Sequence, residues 1–223
     1  MALIIDIETT GFPKCLSYGK YPSYEKLEMY DTSRIVQISM MLCNEKFEQI
    51  GLKDFIVKAD GFTIENSAFH GITNEISANN GISFSEIAEE LLLYLKQVSI
   101  IIAHNANFDI FIICSELYRA GFYTIIDELK TKKMLCSMKH TKTMVKARNS
   151  YGIKDPSLAE LYKFVVKKDI ENAHNSKYDT INLHTIIKTL YDNQKLNYKE
   201  TLIYTPPQIE EELAEELEKL KVI

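Results

Sequence analysis

Two apolar runs that end on carboxylates constrain this chain more than any other feature of its sequence. Leu3-Ile4-Ile5 leads into Asp6-Ile7-Glu8, and Ile100-Ile101-Ile102 leads towards Asn105-Ala106-Asn107-Phe108-Asp109. Continuously apolar runs mark strands covered on both faces. Side chains alternate along a strand, so Asp6 and Glu8 share one face while Ile5 and Ile7 take the other. A carboxylate pair at the end of such a strand is costly unless hydrogen bonds or a cation compensate it. Further along, His174-Asn175-Ser176-Lys177-Tyr178-Asp179 opens an amphipathic stretch. Leu183, Ile186 and Leu190 follow Asp179 by four, seven and eleven residues, which puts Asp179 on the core-facing stripe of a helix. Asp109 alone would read as a first-turn acid favoured by the helix dipole. Together, four carboxylates and a histidine at element ends are the donor set that two-metal phosphodiester chemistry needs: acidic oxygens to cage the ions and a base to activate water.

The periodicities between these points give the fold class. Ala2–Ile7 reads as a strand, followed by a long tyrosine-bearing connection from Gly11 to Ser33 with Pro13 and Pro22 in it. Val36, Ile38, Met40 and Leu42 alternate as a second strand, and a turn at Asn44-Glu45 leads to a third over 47–57. Ser83-Phe84-Ser85-Glu86 has the form of a capping box before a stripe of Ile87, Leu91, Leu92 and Leu95. Val98–Ala103 is a short apolar strand. A helix over 108–120 ends at Gly121, and further helices are expected over 157–165 and 177–192. A strand meander followed by alternating strands and helices predicts a mixed sheet covered by helices.

With 223 residues and 46% hydrophobic content, the chain can bury the core of one domain. A net charge of −5 argues against a bulk polyanion binder, but not against a nuclease whose bound metals offset the acidity of its site. Cys15, Cys43, Cys114 and Cys136 form no CxxC pair or zinc spacing and suit reduced thiols. No run approaches membrane-spanning length, and no signal peptide precedes Asp6. A soluble, cytoplasmic protein without membrane contact is therefore expected. Residues 130–154 hold eight Lys or Arg and no Asp or Glu. They suit either a solvated surface or contacts along a phosphate backbone, while Met134, Met138 and Met144 suit a core. Residues 193–207, with Pro206-Pro207, read as a linker. An acidic helix then carries Ile209, Leu213, Leu217 and Leu220 on one stripe, and 207–221 offer a face for a protein partner or self-association.

The motifs resemble those of the DnaQ-like exonucleases, the DEDDh branch of the RNase H-like fold. Asp6-Ile7-Glu8-Thr9-Thr10-Gly11 is similar to the first family motif, and Ala103-His104-Asn105-Ala106-Asn107-Phe108-Asp109 to the second. Ala173-His174 through Asp179 is similar to the third, with Ser176 where alanine is usual. His70-Gly71-Ile72-Thr73 resembles the family's HGIT loop, and Leu158–Tyr162 the helix before the last motif. The resemblance covers about residues 1–192, leaving 193–223 as linker and tail. It implies a three-layer α/β domain with a mixed five-stranded sheet flanked by helices. It also implies two Mg²⁺ or Mn²⁺ ions held by Asp6, Glu8, Asp109 and Asp179, with His174 as general base. Thr9, Thr10, Phe12, His70, Ile72, Asn105 and Phe108 would hold the terminal nucleotide. The implied activity is 3′→5′ removal of nucleoside 5′-monophosphates from single-stranded 3′ ends, with DNA the first choice. RNA trimming of the RNase T or oligoribonuclease type is the alternative. A binding or polymerase-tethering module with a vestigial site is a third reading, against which all five filled catalytic positions count. The 14–33 connection is long for a compact member and bears on the substrate channel.

Overall fold

The computed structural model describes residues 1–15, 19–171 and 174–196. Strands β1 (Ala2–Thr9), β2 (Ile35–Cys43) and β3 (Gln49–Ile56) come first, followed by the short helices α1 (Ser67–His70) and α2 (Asn74–Asn80). Next are α3 (Phe84–Leu95), β4 (Ile100–Ala103), α4 (Ala106–Arg119), α5 (Tyr123–Lys130), β5 (Lys133–Cys136) and α6 (Ser137–Val145). The hairpin strands β6 (Arg148–Asn149) and β7 (Gly152–Ile153) precede α7 (Leu158–Val166) and α8 (Ser176–Asp192). The main sheet has the order β3-β2-β1-β4-β5. The meander β1-β2-β3 is antiparallel, while β4 and β5 run parallel to β1. This is the mixed five-stranded sheet expected of an RNase H-like fold, with β1 at its centre.

Alternation along β1 divides the core. Leu3, Ile5 and Ile7 pack with Ile87 and Leu91 of α3, Ile110 and Ile113 of α4, and Ile125 of α5. Ala2 and Ile4 face the other way, against Leu161 of α7 and Leu183, Ile186 and Leu190 of α8. Asp6 and Glu8 continue the second set by parity, so they emerge on the α8 side just where the apolar stripe ends. The 11–33 connection belongs to the first core: Tyr21, Tyr24 and Tyr30 are all buried in it, and the Tyr30 hydroxyl donates to the Pro22 carbonyl at 2.5 Å.

Some local readings need correction. The capping box expected at Ser83 is only half made. The Ser83 hydroxyl oxygen accepts from the Glu86 N–H at 3.3 Å, but the Glu86 carboxylate takes the Ser83 hydroxyl proton instead of a backbone N–H. The complete box lies at Ser157 and Glu160, where α7 begins. Helix α4 starts at Ala106, two residues before the expected 108. Within the basic stretch fall β5, α6 and the β6–β7 hairpin, and Met134 and Met138 are buried, as suits a core. Of the expected linker, residues 193–196 are described, and Leu196 packs into the α8-side core. The remainder of the linker and the expected acidic helix lie outside the described residues. Among the described residues no helix is long and apolar enough to cross a membrane.

One half-buried histidine braces the loop after β4. The His104 ring bonds to the Pro156 carbonyl through Nε2 at 3.0 Å and to the Ser137 hydroxyl through Nδ1 at 2.9 Å. A carbonyl only accepts, so Nε2 carries the proton and Nδ1 accepts from the serine. Burial lowers the His104 pKa to about 4. Because the folded value is below the reference of 6.5, the stability this group supplies is present above about 6.5 and is lost as pH falls through about 4. The expected outcome is a urea midpoint that drops across this window in the wild type and does not show that component in His104→Phe. An NMR titration of the ring should place its midpoint near 4; a midpoint near 6.5 would refute the buried neutral state.

Candidate active site

The site is built where three elements converge on the exposed end of β1. Asp6 and Glu8 come from β1 itself, opposite Ser39 and Gln37 in the register with β2. Asp179 comes from the first turn of α8. One ligand oxygen from each of Asp6, Glu8 and Asp179 lies within 4.8 Å of the other two. Asp109, only 2% exposed, arrives from the first turn of α4. Asn105 turns the chain from β4 into α4 by taking the left-handed conformation, φ 67° and ψ 47°, and its carbonyl accepts the Phe108 N–H at 2.8 Å. Asp109 stands outside the close trio, yet its charge acts on Asp6.

This concentration of negative charge is electrostatically unfavourable by itself. Burial, and then the charges of Asp109, Asp179 and Glu8, raise the Asp6 pKa well above the carboxylate range. Burial and the Asp179 charge push Glu8 to about 7. Asp109 is also raised well, by burial first, against opposing hydrogen bonds from its own backbone and that of Ile7. Burial raises Asp179, opposed by the backbone N–H of His174 and the His174 charge. Two carboxylate oxygens, Asp109 Oδ2 and Asp179 Oδ1, are buried with no hydrogen-bond partner. Orphaned acidic oxygens next to a tight carboxylate trio fit hard divalent cations, which bind through oxygen ligands.

His174 sits at the mouth of this cluster. It is exposed, with φ 66°, and its backbone N–H donates to Asp179 Oδ2 at 3.1 Å. The loop into α8 is thereby fixed to the carboxylate while the imidazole stays on the solvent side.

A polar network behind the site, running from the buried Gln37, Ser39 and Ser176 to the exposed Asp54, was missed in the sequence. The Ser39 hydroxyl donates to Asp54 Oδ1 at 2.7 Å, and the Gln37 amide donates to the same oxygen at 2.8 Å. With the Ser39 proton so engaged, the Ser176 hydroxyl donates to Ser39 Oγ at 2.7 Å, and the Ser176 N–H points to Gln37 Oε1 at 3.4 Å. Strands β2 and β3 are thus joined to the first residue of α8, three positions before Asp179. A signal for it was present: Gln37 and Ser39 are polar at period two inside the apolar run of β2, matching Asp6 and Glu8.

The residues expected to hold substrate divide into two groups. Phe12 is 79% exposed and its ring lies 5.7 Å from that of Phe108, with Tyr21 packed edge-on behind Phe108. These rings form a ledge beside the carboxylates, and Asn105 opens the helix that carries Phe108. The others are engaged within the fold. Thr9 Oγ1 donates to the Gly11 carbonyl at 2.7 Å, and Thr10 pairs with the Arg34 backbone through its N–H and hydroxyl oxygen. His70 is buried, bonded to Asn66 and to the Ile72 N–H, while Asn66 donates to the Thr9 carbonyl at 3.0 Å. Ile72 packs against Val36 and Ile64. The HGIT loop is therefore tied to the end of β1 through Asn66.

A family model described as Exonuclease (RNase_T) matches residues 3–187. The chain belongs to this exonuclease family. It is a DnaQ-like 3′→5′ exonuclease with an RNase H-like fold. It is 28% identical to the DNA polymerase III subunit epsilon of Buchnera aphidicola subsp. Acyrthosiphon pisum (strain APS), over 76% of each chain. Among solved structures, Exonuclease X in complex with 5′ overhanging duplex DNA matches with a TM-score of 0.55 and 18% identity, covering 90% of this chain and 96% of that one. Exonuclease I of E. coli in complex with a dT13 oligonucleotide matches with a TM-score of 0.67 and 19% identity, over 86% of this chain; the chain spans 41% of its length. The 3′-exonuclease in a structure of 3′-end specific recognition of histone mRNA stem-loop matches with a TM-score of 0.55 and 13% identity, over 92% and 70% of the two chains. These structural likenesses describe the fold.

The raised carboxylates carry a stability signature with a definite sign. Glu8 moves from 4.5 up to about 7, so in metal-free protein its contribution to stability is complete below about 4.5 and is lost as pH rises through about 7. A divalent cation held by the cluster would replace the missing protons. The melting temperature in EDTA should therefore fall relative to that in Mg²⁺ as pH rises from 5 to 8. A gap between the two curves that does not change with pH would count against the cluster as a cation site.

Proposed function

We propose that Asp6, Glu8, Asp109 and Asp179 hold two divalent ions, Mg²⁺ or Mn²⁺, and that the enzyme removes nucleoside 5′-monophosphates from single-stranded 3′ ends, with DNA the preferred polymer. The observation that carries this reading is the trio of carboxylates within 4.8 Å at the end of the central strand, with unpartnered acidic oxygens of Asp109 and Asp179 beside it. Divalent ions in such a site supply positive charge that activates water and offsets the charge developing on the phosphoryl oxygens. His174 takes the proton from the attacking water; its loop is anchored through its backbone, which leaves the ring free to reach over the site. Phe12 and Phe108 stack the terminal base from the side. Stacking suits any sequence, because every base has a π-face. The Asn66–His70 pair positions the HGIT loop against β1. The DNA preference is supported by the likeness to an epsilon subunit.

End-labelled single-stranded DNA and RNA of identical sequence test the reading, each with Mg²⁺, Mn²⁺ or EDTA. The 5′-labelled strand should shorten stepwise and EDTA should stop it; comparable cutting of circular single strands would overturn the exonucleolytic mode, and faster RNA decay would reverse the polymer preference. Asp6→Ala should lose at least about a thousandfold in rate, since loss of an ion removes several kcal/mol of transition-state stabilisation. Activity within tenfold of wild type would remove Asp6 from the site. For His174→Ala the expected loss in kcat is roughly a hundred- to ten-thousandfold with metal affinity nearly unchanged. Wild-type kcat in that variant would assign the proton transfer to another group.

A further inference from the structure

The basic stretch ends in a feature that the catalytic residues leave unused. After α6, the chain makes the β6–β7 hairpin, in which Arg148 pairs with Ile153 and Asn149 with Gly152; the Lys154 N–H extends the ladder to the Ala147 carbonyl at 2.8 Å. The base of this hairpin is fixed on three sides. Asp155 takes ion pairs from Lys139 and Lys142 at 2.8 and 3.0 Å. Lys154 pairs with Glu160 at 2.6 Å, and the Pro156 carbonyl accepts from His104. The rest is the reverse. Tyr151 in the turn is 97% exposed and Ile153 on the stem 49%, and Arg148 on the stem and Lys146 at the end of α6 are exposed without an ion-pair partner among the described residues. Tyr21, Tyr24 and Tyr30, by contrast, are all buried.

The tether sets where this hairpin lies. His104 lies in the turn between β4 and α4, five residues before Asp109 on the loop that delivers that carboxylate. The hairpin base bonds directly to His104. Two exposed cations and a bare aromatic ring are therefore tethered to the loop that leads to Asp109, on a chain whose net charge is −5. A polyanion with stackable faces complements that combination, because cations neutralise phosphates while a ring stacks on bases of any sequence. We propose that the β6–β7 hairpin is a finger that grips a single-stranded nucleic acid several nucleotides upstream of its 3′ end, with Tyr151 stacking on a base and Lys146 and Arg148 against phosphates. The inference rests on the proposed action on single-stranded ends and extends it to a second contact that only longer strands reach.

Binding of a fluorescein-labelled 20-nucleotide single-stranded DNA, followed by anisotropy with Ca²⁺ replacing Mg²⁺, tests the finger without relying on turnover. Tyr151→Ala should weaken binding of the 20-mer roughly tenfold to a hundredfold, and Tyr151→Phe should restore it. Lys146→Ala with Arg148→Ala should reduce the salt slope of log Kd by about 1.4, at about 0.7 per phosphate contact on a single strand. Trinucleotide hydrolysis in Mg²⁺ should be the same in every variant. Unchanged 20-mer affinity and salt slope overturn the finger while leaving the exonuclease reading intact, and so does a wild type that binds the 20-mer no more tightly than a trinucleotide. Loss of trinucleotide hydrolysis in these variants also overturns it, because the residues would then act through the fold. Failure of the functional reading shows separately, as a wild type that degrades neither substrate while its finger-dependent binding persists.

Discussion

Repulsion among carboxylates at the end of a buried strand is the constraint around which the molecule is arranged. Asp6, Glu8 and Asp179 are close enough to share a cation; burial raises the pKa of all three, and neighbouring carboxylate charge raises Asp6 and Glu8 further. In the metal-free state, protons lower that repulsion; in the working state, divalent ions would do so with a larger charge. Either way, the cluster stores unfavourable electrostatics that the rest of the fold must hold in register. That explains why so much of the hydrogen bonding near the site is structural: the His174 N–H on Asp179, the Ser176–Ser39–Asp54 chain and the Asn66 link between β1 and His70.

The fold supplies this support from both faces. On one side α3, α4 and α5 bury Leu3, Ile5 and Ile7; on the other α7 and α8 bury Ala2 and Ile4. The central strand is therefore clamped over its apolar length and free only where the acids begin. Helix α8 contributes twice, through Leu183, Ile186 and Leu190 in the core and Asp179 in its first turn. A shift of one residue in the seating of this helix would move the carboxylate off the site and the leucines off the sheet together, which couples stability to geometry. The polar contact of Ser176 with Ser39 fixes the seating at the end where apolar packing is thinnest.

The substrate side is built with a different economy. Phe12 leaves most of its ring in solvent, while Phe108 and Tyr21 pack behind it. Such a ledge is rigid underneath and bare on top, as a surface that stacks interchangeable bases requires. The long connection between β1 and β2 helps to make it, since Tyr21, Tyr24 and Tyr30 are drawn into the core. The HGIT loop acts from the other direction: its buried histidine is spent on internal bonds that hold the loop to Thr9 through Asn66.

Much of this was legible in the sequence. Alternation fixed the shared face of Asp6 and Glu8, and helical spacing put Asp179 on a core stripe, because both periodicities are properties of the local backbone. Spacing likewise located Asp109 and His174 at helix entrances. What the sequence could not supply was any relation between segments that are remote along the chain. Strand β5 has only four residues, too few to show a period inside a basic stretch. The roles of Gln37, Ser39 and Asp54 depend on cross-strand register, and that of His104 depends on the placement of Pro156. At Ser83 and Ser157 the same Ser-x-x-Glu pattern gave half a capping box and a whole one. The sequence by itself determined which residues face the core and which carry the charge, since local geometry dictates that much. Only the tertiary structure decided which charges meet, because their separation is set by the packing of sheet and helices and not by spacing along the chain.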